Sequence, residues 1–134
     1  MRTKLGALVA LLLVAGCHKG LYEAIDRVPA GTWGGQGAVM VATDSGAGFT
    51  FNCASGSVTD PLTIAPDGQF SWSGTFARVS PVPGSPHDPP HDATYHGTMS
   101  SYHITMALTV PDIPLQSDPI TLTLGDAGNL ALCP

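Results

Sequence analysis

The sequence predicts an all-β protein, built as an eight-stranded antiparallel up-and-down barrel with meander connections. Three observations predict it. Apolar and polar residues alternate over long runs: Phe70, Trp72, Gly74 and Phe76 share one face, Ser71, Ser73, Thr75 and Ala77 the other. Turn residues separate the runs at Asp44-Ser45-Gly46, Pro66-Asp67-Gly68, Ser100-Ser101 and Asp126-Ala127-Gly128. Gly and Pro make up 28 of 134 residues, yet nine aromatics and many aliphatic residues oppose disorder. One wet and one dry face mean antiparallel strands, and successive hairpins mean a meander. Closure into a barrel removes the sheet edges. A two-sheet sandwich satisfies the same pattern and is the alternative.

The strands are expected near 37–43, 48–54, 57–64, 69–79, 93–99, 102–110, 119–124 and 128–133. The run Tyr102, Ile104, Met106, Leu108, Val110 alternates with His103, Thr105, Ala107 and Thr109. Ile120, Leu122 and Leu124 alternate with Thr121 and Thr123. Residues 18–32 read as a tether, in which Leu21, Ile25 and Val28 form one face of a short helix stopped by Pro29 and Gly31. The organisation is therefore residues 1–16 as signal peptide, 17–32 as tether and 33–134 as barrel.

The first residues carry an address. Arg2 and Lys4 precede Leu5 to Gly16, which hold no charge. That apolar stretch falls short of the roughly 20 residues a membrane-spanning helix needs, so it reads as the core of a secretory signal. The segment Leu13-Val14-Ala15-Gly16-Cys17 resembles the lipobox of bacterial lipoproteins. The resemblance implies cleavage before Cys17, a diacylglycerol thioether on its sulfur and an acyl chain on its amine. Several acyl chains anchor stably where one does not. His18 follows the cysteine, and by the enterobacterial sorting rule a residue other than Asp directs the protein to the outer membrane. The expected location is the bacterial outer membrane, lipid-anchored, on its periplasmic or external side.

Removal of the signal takes Arg2 and Lys4, leaving Lys19, Arg27 and Arg78 against ten acids, a net charge of −7 for the mature chain. Such a surface excludes the basic footprint of a nucleic-acid binder. With Cys17 lipidated, Cys53 and Cys133 remain, and an oxidising envelope favours a bridge between them. The alternation sets Cys53 on the dry face with Phe49 and Phe51, but Cys133 opposite Leu130 and Leu132. The bridge therefore requires a bulge or a lapse of alternation at the strand ends.

Two further resemblances concern the fold. Gly31-Thr32-Trp33 resembles the GxW that opens the first strand of lipocalin and avidin-like barrels, among them secreted protease-inhibitor barrels. It implies a Trp closing one barrel end beneath an Arg, here Arg78. The segments Trp33-Gly34-Gly35, Cys53-Ala54-Ser55-Gly56, Asp67-Gly68-Gln69-Phe70 and Ser73-Gly74-Thr75-Phe76, with Pro61-Leu62 and Cys133, resemble small uncharacterised bacterial lipoproteins. These imply a β-barrel and no activity.

Candidate chemistry gathers in one place. The loop Ser80 to Asp92 holds five prolines together with His87, Asp88, His91 and Asp92, and His96 and His103 follow. Imidazole and carboxylate suit zinc or copper. A turn at Ser100-Ser101 sets Thr98 opposite His103 and His96 diagonal to it, with both rings outward. The competing reading is a solvated proline loop with ordinary surface histidines. Catalytic signals are absent: no G-x-S-x-G, no HExxH, and Glu23 as the only glutamate of the chain. Asp44, Asp67 and Asp126 read as turn formers. Bulky inward residues predict a filled interior. The expectation is a binding or structural module of the cell envelope, not an enzyme, meeting the membrane through its anchor and an envelope protein or small ligand through its barrel. A metal-binding protein, and a protease inhibitor whose tether Lys19 to Val28 enters a protease cleft, are the alternatives.

Overall fold

The computed structural model describes residues 26–80, 82–86 and 88–133. Nine strands follow one another: β1 (Gly31–Gly35), β2 (Ala38–Thr43), β3 (Gly46–Phe51), β4 (Ala54–Val58), β5 (Gln69–Arg78), β6 (His91–Ser100), β7 (His103–Val110), β8 (Leu115–Gln116) and β9 (Ile120–Leu124). Each from β1 to β7 pairs antiparallel with the next, β7 pairs β9, and β9 pairs β1. The result is a closed eight-stranded antiparallel barrel in meander order, with β8 as an extra short strand. β8 pairs Thr109 and Val110 on the edge of β7 that β9 occupies further along. The two are one barrel edge broken at Ser117–Pro119, where Pro119 supplies no ladder donor.

The register fixes the shape. From Trp33 the row of partners runs through Met40, Phe49, Gly56 and Phe76 to His91 of β6. The other way it runs through Leu124 and Tyr102 towards Ser101 at the far end of β6. The ladder therefore closes with an offset of ten residues along β6, which tilts eight strands by about 40° to the axis.

Inward positions carry the core. Trp33, Met40, Phe49, Phe70, Trp72, Phe76, Tyr95, Met106 and Leu122 are buried, with Ala38, Ala42, Ala47, Ala54 and Ala93 between them. The small residues make room for the large ones. A Cβ on Gly56 would collide with the Tyr95 hydroxyl. Tyr95 stacks on Phe49 at 4.2 Å between centroids and donates its hydroxyl to Thr75 O at 2.6 Å. Burial raises its pKa well above the ordinary tyrosine value.

One end of the barrel is closed. The incoming segment lies across it: Val28 N–H donates to Leu62 O, and Ile64 N–H to Asp26 O. Val28, Leu62 and Ile64 are buried there. Trp33 Nε1–H donates to Pro29 O at 3.0 Å, and Trp72 Nε1–H to Thr63 O at 2.9 Å.

After β9 the chain turns back along the outside of β1. Asn129 bonds Gly35 O through its N–H and Gly37 N–H through its carbonyl, forming a parallel bridge with Gln36. Gly34 has no side chain because Asp126 O and Gly128 N occupy that space. Ala131 N–H then donates to Asn52 Oδ1 at 2.7 Å, and Cys133 reaches Cys53.

Three expectations need correction. The first barrel strand is Gly31–Gly35, which begins two residues before the expected tether ends and precedes the first expected strand, and residues 128–133 form no strand. Leu130 and Leu132 alternate but are exposed. The β6–β7 hairpin turns at Ser101-Tyr102, with Ser101 at φ 53°, so Thr98 faces Thr105 and Ser100 faces His103. Tyr102 is thus a turn residue, 61% exposed, and not part of the dry face.

Candidate functional site at the barrel mouth

The end opposite Trp33 remains open. Gly37, Phe51, Ala54, Phe76, Leu108, Leu115 and Ile120 line a cavity there of about 350 Å³, with Asn52, Cys53, Arg78 and Ser117 at its edge. The volume lies at the small end of the range for ligand sites, about 300–1,000 Å³. Each wall has a local cause. Phe76 and Arg78 share one face of β5 by strand periodicity; Phe76 is buried, and Arg78, the last residue of the strand, is exposed at the rim. Leu115 and Ile120 flank the break between β8 and β9, where Ser117 bonds Leu108 through its N–H and its Oγ.

The disulfide borders the same mouth. Cys53 and Cys133 are joined, with Cα atoms 5.2 Å apart and a sequence separation of 80. β3 ends at Phe51, so Cys53 sits in the β3–β4 turn and Cys133 in the tail. Strand alternation applies to neither, which resolves the conflict of faces. Closing a loop of this length contributes on the order of 4.5 kcal/mol by restricting the unfolded chain.

The polar groups of the mouth are unequal. Asn52 Oδ1 accepts Ala131 N–H, and Ser117 Oγ accepts Leu108 N–H at 2.9 Å. Arg78 makes no side-chain hydrogen bond or ion pair among the described residues. Its backbone N–H donates to Asp88 Oδ2 at 3.2 Å, which holds the Asp88 carboxyl below the usual aspartate range. Arg78 therefore does not cover Trp33, as the GxW resemblance implied. The two occupy opposite ends of the barrel, because β5 runs from the closed end to the mouth.

The histidine set is dispersed. His91 Nε2 lies 3.2 Å from Asp88 Oδ2, and its Nδ1 lies 3.7 Å from Asp112 Oδ2. Asp92 points outward from β6, in a shallow surface depression with Ser73, Thr94 and Pro111. His96 faces Ala107 across the ladder, and its Nε2 pairs with Thr109 Oγ1 at 3.2 Å. His103 faces Thr123, and its Nδ1 pairs with Thr123 Oγ1 at 3.1 Å. With the observed register the two lie four positions apart along neighbouring strands, about 13 Å, and not on a diagonal. Among the described residues no three His, Cys, Asp or Glu side chains converge on a point where a metal ion fits. His87, the lipobox through Cys17 and the signal segment lie outside the described residues.

The sequence named Arg78 for another role and overlooked the mouth. The available signal was a guanidinium two residues after Phe76, on the same strand face by periodicity.

No family model matches this chain, and no curated protein or solved structure matches it. Among the described residues no helix is long and apolar enough to cross a membrane.

Proposed function

We propose that this protein is a lipid-anchored binding module of the bacterial cell envelope, tethered through Cys17 and taking its ligand at the barrel mouth. The observation that carries the binding role is the apolar cavity at an open end of an otherwise filled barrel. Bulky side chains fill the closed end and the middle of the barrel, and among the described residues the mouth is where the interior leaves space for a guest. The lipobox after a charged start supports the anchor, and the signal segment supports export.

The anchor is tested by replacing Cys17 with Ala and fractionating cells. The variant is expected in the soluble fraction, unprocessed or without lipid; normal processing with retention in the membrane pellet refutes the anchor. The mouth is tested in envelope vesicles with a photoreactive ten-carbon alcohol. Labelled peptides are expected to map to Phe76, Leu108 and Ile120, and the cavity-filling Leu115→Trp is expected to abolish that labelling. Equal labelling of both proteins refutes the mouth as a site.

A further inference from the structure

We infer that the mouth selects a single-chain anionic amphiphile, a medium-chain carboxylate, with Arg78 holding the head group and the apolar walls holding the chain. The inference rests on the mouth being the binding site, and adds the class of ligand.

The walls define the tail. Phe51, Phe76, Leu108, Leu115 and Ile120 offer apolar surface on several sides of the cavity. A volume of about 350 Å³ accommodates one short chain and excludes a two-chain lipid. Burying each methylene in such a site gains about 0.8 kcal/mol, so the chain supplies affinity.

Arg78 defines the head. Among the described residues it is the lone cation lining the cavity, in a mature chain with three Lys and Arg residues against ten acids. Of the polar side chains at the rim, Asn52 and Ser117 already accept backbone N–H groups. The guanidinium keeps its donors free among the described residues, and its planar fork matches a carboxylate with two parallel N–H···O bonds. Asp88 feels the charge of the guanidinium, but no acid forms an ion pair with it among the described residues. Asp88 is engaged by the Arg78 backbone N–H and by His91, and Asp112 faces the other ring nitrogen of His91. This fixes the two carboxylates on the histidine side of the rim. An anion approaching over the Phe76 and Leu108 walls meets the guanidinium. A cationic head group is repelled there, and a neutral hydroxyl accepts one uncharged hydrogen bond where a carboxylate accepts two charge-assisted ones.

The test uses the full chain in envelope vesicles and two photoreactive probes of equal length, a ten-carbon carboxylate and the corresponding alcohol. The carboxylate is expected to label the mouth, with unlabelled decanoate competing and decyltrimethylammonium not competing. Arg78→Gln is expected to weaken carboxylate labelling about fivefold or more, and to lower alcohol labelling by a clearly smaller factor. Arg78→Lys, which keeps the charge but not the fork, is expected to restore part of the loss. Non-reducing peptide maps of each variant report the Cys53–Cys133 link as the check on folding. Mouth labelling by the alcohol that equals labelling by the carboxylate, or carboxylate labelling indifferent to Arg78→Gln, overturns the anionic class and leaves the mouth as a site. Labelling of the mouth by neither probe overturns both.

Discussion

Replacing both Cys53 and Cys133 with Ser removes the cross-link and leaves neither partner as an unpaired thiol. The structure sets the size of the effect. The bridge closes 80 residues, for which loop entropy gives on the order of 4.5 kcal/mol. Little native packing is lost with it, because Leu132 is 95% exposed, Leu130 is exposed too, and the tail beyond Asn129 is held chiefly by the Ala131–Asn52 hydrogen bond. The loss should therefore fall almost wholly on the unfolded state, at about 3–4.5 kcal/mol. For a domain of this size that lowers Tm by roughly 13–20 °C. Urea unfolding followed by tryptophan fluorescence measures it, since Trp33 and Trp72 are buried at the closed end and report global unfolding. The slope m is expected to rise, because an open chain exposes more surface when unfolded. A loss under about 1 kcal/mol with unchanged m would refute the reasoning, since the cross-link would then not restrict the denatured chain.

Three further outcomes follow from the packing. Gly34→Val drives a side chain into Asp126 O and Gly128 N, and is expected to lift the tail from β1 and slow formation of the Cys53–Cys133 link; a thiol-trapping time course unchanged from wild type counts against the crossing. Tyr95 has its pKa raised by burial, so its neutral form is favoured in the fold. Its contribution is complete below the unfolded tyrosine pKa of about 10 and is lost as pH rises beyond it. Ultraviolet titration should show Tyr95 ionising together with unfolding, and phenolate formed in a still-folded barrel refutes this. Zinc titration of wild type and of a His96→Ala, His103→Ala double variant is expected to give the same affinity, because the structure holds these rings apart on separate threonine partners; a tenfold loss would place them in one site.

The barrel was legible because alternation is a property of the strand itself. β5, β7 and β9 each bury one face, and their sequences state it residue by residue. β1 was not legible for the converse reason. GTWGG shows no alternation, because Gly34 must leave room for the tail and Gly35 lies against Thr121 O. The tail misled in the opposite sense: Leu130 and Leu132 alternate, yet neither face of that segment meets the core. The β6–β7 hairpin shows what periodicity does and does not fix. Its register differs from expectation by two residues, a shift that preserves faces and changes partners. His96 and His103 therefore point outward as expected, and the diagonal contact between them is lost. No Gly or Asn marks the turn, since Ser101 itself takes the positive φ. The mouth was hidden because its lining residues, among them Gly37, Ala54, Leu108 and Ile120, lie scattered along the chain and meet only when the barrel closes.

The pairing of the first strand with the last imposes an order of events on a chain made from its N-terminus. β1 to β6 can zip in sequence, each hairpin local and fast. Throughout that growth β1 carries one open edge, whose partner β9 lies some ninety residues downstream. An unpaired edge of this kind invites strangers, and β1 meets the hazard by being short and rich in glycine. The tail then lies down over Gly34 only after the seam exists, and Cys133 arrives at Cys53 last. Oxidation of that pair is thus the final act of assembly and locks a barrel that has already closed.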